Sequence, residues 1–177
     1  FGWSRTEVDP ALIALLADPQ WQPFLVFPAE FAAPERVVTT VLPATATPLH
    51  SAGTRPLFVL LDGTWSEARK MFRKSPYLDH LPVLALHPEQ ASNYRLRRAA
   101  HGHHVCTAEV AALCLDLAGE AHAAQALIAW LHVFGNHSMS VRLSQPLDRQ
   151  SPAHQRLQAL SGTPVPQGVA VAGDHSV

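Results

Sequence analysis

The chain has 177 residues, 47% apolar and 15% charged, with a net charge of −1 at neutral pH. That length suits one ordinary domain with a real core, and no apolar run reaches the length of a membrane span. The balance also excludes a uniformly basic, nucleic-acid-coating protein, but the cations are unevenly spread: seven of the thirteen Lys and Arg residues fall between Arg69 and Arg98. One basic stripe on a neutral protein points to a polyanionic partner, with a merely solvated charged face as the plain alternative.

The first predicted element is a short helix in "VDPALIALLADP" (Val8 to Pro19), with Asp9 as N-cap, Pro10 at the first helical position and Pro19 as its stop. "PFLVF" (Pro23 to Phe27) reads as a buried strand closed by Pro28. "RVVTTVL" (Arg36 to Leu42) is β-branched and strand-like, with a helical turn after Pro34 as the other reading. The proline-rich stretch Pro43 to Pro56 reads as a loop, and "LFVLL" (Leu57 to Leu61) as a central parallel strand, apolar on both faces. Thr64 or Asp62 can cap a helix from Trp65 to about Lys74, ended by Ser75-Pro76. "PVLAL" (Pro82 to Leu86) is a further apolar strand. A long helical pattern then begins at Thr107, its expected N-cap, and runs to about Phe134, weakened by Gly119. A short helix is expected near Ala153 to Leu160, followed by a poorly ordered tail. Strands alternating with helices define an α/β fold, a mostly parallel sheet flanked by helices. The expected division is a catalytic domain over residues 1–134 and a carboxyl-terminal extension over 135–177, partly disordered.

Three stretches carry chemistry. Asp62-Gly63-Thr64-Trp65 sits at the carboxyl end of a strand, where ligands bind in such sheets. Gly63, lacking a Cβ, lets a ligand or another backbone approach. The plain alternative is that Asp62 caps the helix and Trp65 packs in the core. In "SNYRLRR" (Ser92 to Arg98), Arg95 and Arg97 alternate and would point the same way from an extended backbone. Guanidinium groups suit phosphate or carboxylate, and Tyr94 can stack on a base; an ordinary exposed loop is the alternative. "HGHHVCTAEV" (His101 to Val110) holds three His and one Cys, but the spacing matches no usual ligand set, and no metal site is assigned. It reads better as a loop entering a helix whose N-terminal N–H groups are available to a ligand. No G-x-S-x-G elbow, Walker A or G-x-G-x-x-G is present.

In register, "LDGTW…ARKMFRKSPYL", "SNYRLRR" and "HGHHVCTAEV" resemble the DTW-domain family of tRNA-uridine aminocarboxypropyltransferases, named for the Asp-x-Thr-Trp here formed by Asp62, Thr64 and Trp65. "WSRTEVDPALIALLADPQWQPFLVFPAEFA" (Trp3 to Ala32) is similar to the bacterial members, so the resemblance covers Trp3 to about Trp130. It implies a SPOUT-like fold with a trefoil knot towards the carboxyl side of the sheet. It also implies S-adenosylmethionine held largely by loop backbone near Phe27, Pro28, Leu61, Tyr94, Val105, Cys106 and Thr107. The implied reaction moves the 3-amino-3-carboxypropyl group to N3 of a tRNA uridine, in the variable loop by analogy with bacterial relatives, and releases methylthioadenosine. Asp62 is then the candidate base, or a residue that only orients the uracil edge, and Trp65 a support of the base pocket or a lock on the turn. Arg69, Arg73 and Lys74, at i, i+4 and i+5 on the basic helix, are candidates with Arg95 and Arg97 for holding tRNA phosphates.

The sequence departs from the family at its start. Bacterial members usually carry zinc-site cysteines, a first strand and an Asn-Thr-Gly-Arg stretch before the point where this chain opens at Phe1, without a Met. Residues upstream are therefore expected to be missing, and any zinc belongs to that part. Cys106 and Cys114 suggest neither a disulfide scaffold nor a zinc site, which fits a cytoplasmic location. A monomer or weak homodimer, with no membrane partner, is expected. Rival readings are a SPOUT-type RNA methyltransferase, a non-catalytic RNA-binding module in which Asp62 is only a cap, and a hydrolase with a His dyad.

Overall fold

A computed structural model describes residues 1–41, 54–86 and 106–162. The chain forms two compact units, residues 1–128 and 129–177. In the first, helix α1 (Pro10–Ala17) leads into strand β1 (Trp21–Val26). Two 3-10 turns (Ala29–Phe31 and Pro34–Arg36) precede the short strand β2 (Val37–Val38). Strand β3 (Arg55–Leu60) is followed by helix α2 (Trp65–Arg73), a 3-10 turn (Pro76–Leu78), strand β4 (Val83–Leu84) and helix α3 (Thr107–Leu117). Helix α4 (Ala121–Leu143) crosses the division between the units, and α5 (Pro152–Ser161) lies in the second.

The sheet order is β2-β4-β1-β3, and every pairing is parallel. All four carboxyl ends therefore lie along one edge. β1 and β3 pair over six residues, from Trp21 with Arg55 to Val26 with Leu60. Alternation along the strands divides the apolar side chains between two cores. Leu25, Phe27, Leu57, Val59, Leu61 and Val83 pack with Leu12 and Leu16 of α1 and with Ala68 and Phe72 of α2. Phe24, Val26, Phe58, Leu60 and Leu84 pack on the opposite face with Val110, Cys114 and Leu117 of α3. The result is a three-layer α/β arrangement.

Asp9 caps α1 as the sequence predicts, its Oδ1 accepting from the Ala11 N–H at 2.9 Å. A 3-10 turn over Pro34–Arg36 passes directly into β2, so the strand expected over Arg36 to Leu42 is reduced to Val37–Val38 among the described residues. Three expectations are corrected. β3 is not central: among the described residues it pairs only with β1. Leu57 and Val59 face the core shared with α1 and α2, and Phe58 and Leu60 the core shared with α3, so helices cover both faces of its apolar stretch. The long helix from Thr107 is two helices, broken at Gly119, whose φ of +83° suits a residue without a Cβ. The N-cap of α3 is Cys106, one residue before the expected Thr107.

In the second unit, Ala129 and Val133 of α4 pack against Leu157 of α5. Beside them His137 and His154 share a hydrogen bond between their Nε2 atoms at 3.1 Å, and His154 Nδ1 meets the Ser151 hydroxyl at 2.8 Å. The expected disordered tail lies outside the described residues, as does the path through residues 87–105 on which a knot would turn.

Val83 and Leu84 of β4 have no exposed surface. Leu84→Ala leaves a cavity between the sheet and α3, and is expected to cost about 2–5 kcal/mol, read from the midpoint of urea unfolding. Exposed Val141 is the control, where Val141→Ala should shift the midpoint little.

Candidate nucleotide-binding site

The connections leaving β1 and β3 meet at the carboxyl edge of the sheet. Leu61 closes the core there, and the chain turns through Asp62 and Gly63 into α2. Thr64 is the N-cap. Its N–H and hydroxyl donate to Glu67 Oε2 at 2.7 and 2.6 Å, while the Glu67 N–H reaches back to Thr64 Oγ1 at 3.4 Å. This reciprocal capping box fixes where α2 begins. A Cβ on Gly63 would stand 3.2 Å from the Glu67 Cβ and 3.3 Å from its Oε2. Gly63 thereby leaves room for the capping side chain. The hydrogen bonds from Thr64 hold the Glu67 carboxyl below the ordinary carboxylate range.

With capping assigned to Thr64 and Glu67, Asp62 is left for another role. It is exposed, and its Oδ1 accepts a 2.7 Å hydrogen bond from the Thr107 hydroxyl, 45 residues further along. The shifted start of α3 makes this contact. Glu109 Oε2 takes the Cys106 N–H at 2.6 Å, so Cys106 occupies the cap position and Thr107 enters the first turn with its hydroxyl directed at Asp62. One N–H that the sequence reading leaves available to a ligand is thus occupied by Glu109. Cys106 is an exposed free thiol, whereas Cys114 is buried in the core, which pushes its thiol up to about 12 and keeps it protonated at neutral pH.

Next to Asp62 lies an aromatic stack. Phe27, immediately after β1, lies between Trp65 and Phe72, with ring centroids 5.5 and 4.4 Å away and planes within 10° and 13°. Phe31 meets Phe27 and Trp65 edge-on at 5.5 and 5.6 Å. Phe27 is 6% exposed, but Trp65 and Phe31 keep 41% and 37% of their surfaces. Trp65 thus both locks the turn and presents a face to solvent. A shallow cavity is lined by Phe27, Phe31, Phe72, Arg69 and Arg73. The Arg69 guanidinium lies 5.9 Å from the Trp65 ring, and Arg73 Nε donates to the Arg69 carbonyl at 3.3 Å.

The other cations near α2 have separate positions. Lys70 lies over the Trp3 ring at 5.8 Å, and Trp3 Nε1 donates to the buried Ser75 hydroxyl at 2.9 Å, which ties the first residues to the end of α2. Arg36 donates to the carbonyls of Leu78 and Leu81 and is structural. Lys74 follows the helix as its exposed C-cap.

Of the residues assigned from sequence, the carboxyl edge gathers Phe27, Leu61, Asp62, Trp65, Cys106 and Thr107, with Pro28 beginning the first 3-10 turn. Tyr94, Arg95, Arg97 and Val105 lie outside the described residues. The sequence reading omits Phe31 and Phe72. Phe72 carried a signal, as an apolar residue seven positions after Trp65 on an otherwise basic helix. Phe31 carried none, because it reaches the stack only through the turn after β1.

A family model described as DTW domain matches residues 1–139, a span that includes all of these residues. No solved structure matches the chain.

The folded-state pKa of Glu67 lies below its unfolded value, so its contribution to stability is present above the unfolded carboxylate range and is lost as pH falls through the folded value. Glu67→Gln is therefore expected to lower stability at neutral pH and to converge with the wild type in acid, as read from urea midpoints between about pH 7 and pH 3. A gap of constant size across that range would discount the capping carboxylate.

Proposed function

We propose that this chain, which belongs to the DTW-domain family, is a tRNA-modifying transferase that moves the 3-amino-3-carboxypropyl group of S-adenosylmethionine to N3 of a tRNA uridine, in the variable loop. Family membership is consistent with tRNA modification. The observation that carries the finer reading is the Asp62–Thr107 hydrogen bond, which joins the Asp-x-Thr-Trp turn to the start of α3 at the carboxyl edge of a parallel sheet.

The residues present suit such a donor. An exposed carboxylate complements a sulfonium and an ammonium group, and an exposed indole face complements an adenine or a uracil. When bound, the donor supplies a methylene activated by the adjacent positive sulfur, with methylthioadenosine as leaving group. The protein's part is positioning and removal of one proton. Thr107 holds Oδ1 of Asp62 and fixes the plane of the carboxylate, which turns the second oxygen to the uracil N3–H. Asp62 accepts that proton as N3 forms its bond to carbon. Trp65, braced by Phe27, supports the extruded base. Arg69, Arg73 and Lys74, on the helix that starts beside Asp62, hold RNA phosphates. Arg95 and Arg97 extend that surface, and Phe27, Pro28, Leu61, Tyr94, Val105, Cys106 and Thr107 remain the positions proposed for donor contact. A SPOUT-type knot and a reducing, cytoplasmic setting, in which Cys106 and Cys114 stay free thiols, belong to the same reading.

Nucleosides from unmodified tRNA incubated with the protein and S-adenosylmethionine should contain aminocarboxypropyl-uridine by mass spectrometry; a methylated product instead would reassign the reaction. Asp62→Asn should lower turnover about 10²- to 10⁴-fold with its fold intact by circular dichroism. Unchanged turnover would remove Asp62 from the base role. The Arg73→Ala, Lys74→Ala double variant should weaken tRNA binding and flatten its dependence on salt, with donor affinity unchanged by calorimetry.

A further inference from the structure

Beside Trp65, the half-exposed Phe31 and the guanidinium groups of Arg69 and Arg73 border a cavity backed by buried Phe27 and Phe72. We propose that the cavity between Phe31 and α2 is a subsite for a nucleotide flanking the target uridine, its base stacked against Phe31 and its phosphate on Arg69 and Arg73. This rests on the reading of the protein as an RNA-modifying enzyme and adds an unpaired neighbouring nucleotide to its substrate requirement.

Three observations lead there. The first is the lining itself. Phe27, Phe31 and Phe72 supply an apolar aromatic floor, and Arg69 and Arg73 the charge. Stacking of bases on aromatic rings, combined with cations along the backbone, is the chemistry by which proteins hold single-stranded nucleic acid without reading its sequence. The second is position. At 1.5 Å per residue, Arg69 and Arg73 lie roughly 8 and 14 Å along the helix from Thr64, beside which Asp62 stands. That places the cavity about one nucleotide step or more from the reacting carboxylate, rather than on it. The third is rigidity. Phe27 and Phe72 are buried, and Trp65 and Phe31 are braced against Phe27, so the exposed faces are held before any ligand arrives. Arg73 is steadied by its bond to the Arg69 carbonyl, and neither arginine is paired with a carboxylate among the described residues. Lys70, by contrast, is directed to Trp3 and takes no part.

The target must then lie in a single-stranded or splayed segment, since a base within a duplex cannot reach a ring lying below it in a cavity. Either neighbour, 5′ or 3′, satisfies the geometry.

The test is binding without donor, so that it stands apart from transfer. A short single-stranded RNA, about nine nucleotides long with one central uridine, is titrated with the protein at low salt by fluorescence anisotropy. Variants of the RNA carry one abasic position each. Removing the base that occupies the cavity should weaken wild-type binding about 5- to 150-fold. Phe31→Ala should weaken binding of the intact RNA, yet bind the RNA that is abasic at that one flanking position as the wild type does. Arg69→Ala should lower the salt slope by about one for every RNA, which checks the phosphate half separately from the stacking half. Coupling between Phe31 and a position next to the uridine supports the subsite. Coupling to the uridine itself, coupling to no position, or no measurable binding of the RNA overturns it. Transfer to tRNA without this coupling would sink the subsite alone, whereas coupling without transfer would sink the proposed reaction alone.

Discussion

The parallel register of β1 and β3 is the constraint on which the rest of the site depends. Val26 pairs with Leu60, so the residues that follow, Phe27 and Leu61, leave the sheet together at the same edge. Had the strands slipped by one residue, every side chain would have changed face, and Phe27 would have left the core it shares with Phe72. In the observed register Phe27 meets Trp65, the first residue of α2, and the turn between Leu61 and Trp65 has one compact path. Asp62 stands on that turn, exposed, with its direction set by Thr107.

Helix α2 has two functions that its sequence separates by face. Ala68 and Phe72 are buried against the sheet, and Arg69 and Arg73 line the cavity beside them. The capping box at its start holds the first turn by a carboxylate placed at the positive end of the helix dipole, and the cations fall towards the other end, where the dipole favours them. Local electrostatics and the proposed RNA contact thus ask for the same distribution of charge. Trp3 and Ser75 fix the far end, so the helix that carries the cationic surface is anchored at both termini.

The glutamates at the third positions of α2 and α3 explain why Asp62 is not used as a cap. Glu67 reaches the Thr64 N–H and Glu109 the Cys106 N–H, and each helix start is satisfied without Asp62. A cap assignment for Asp62 is a sound inference from a strand-end Asp two residues before a helix. It fails here because Thr64 is the N-cap and Glu67, three residues beyond it, takes the Thr64 N–H.

Much of the fold was legible in the sequence because its signals are local. Continuous apolar runs, Asp9-Pro10 before α1, Thr64 before α2 and Gly119 within a helical pattern all act through neighbours a few residues away. So do the Asp-x-Thr-Trp turn and the clustering of cations on α2. What the tertiary structure decided depends on pairs far apart in the chain. That β3 pairs only with β1 among the described residues follows from its tertiary setting, since an apolar strand reads alike whether helices or strands cover it. The Asp62–Thr107 bond spans 45 residues, and the Trp3–Ser75 bond 72. Phe31 joins the aromatic stack only because the turn after β1 folds back over α2. The sequence by itself determined which residue types are present, an acid and a run of cations, through the motif and the helix that hold them. Their convergence at one edge was decided by a parallel sheet, which brings successive strand ends together whatever lies between them.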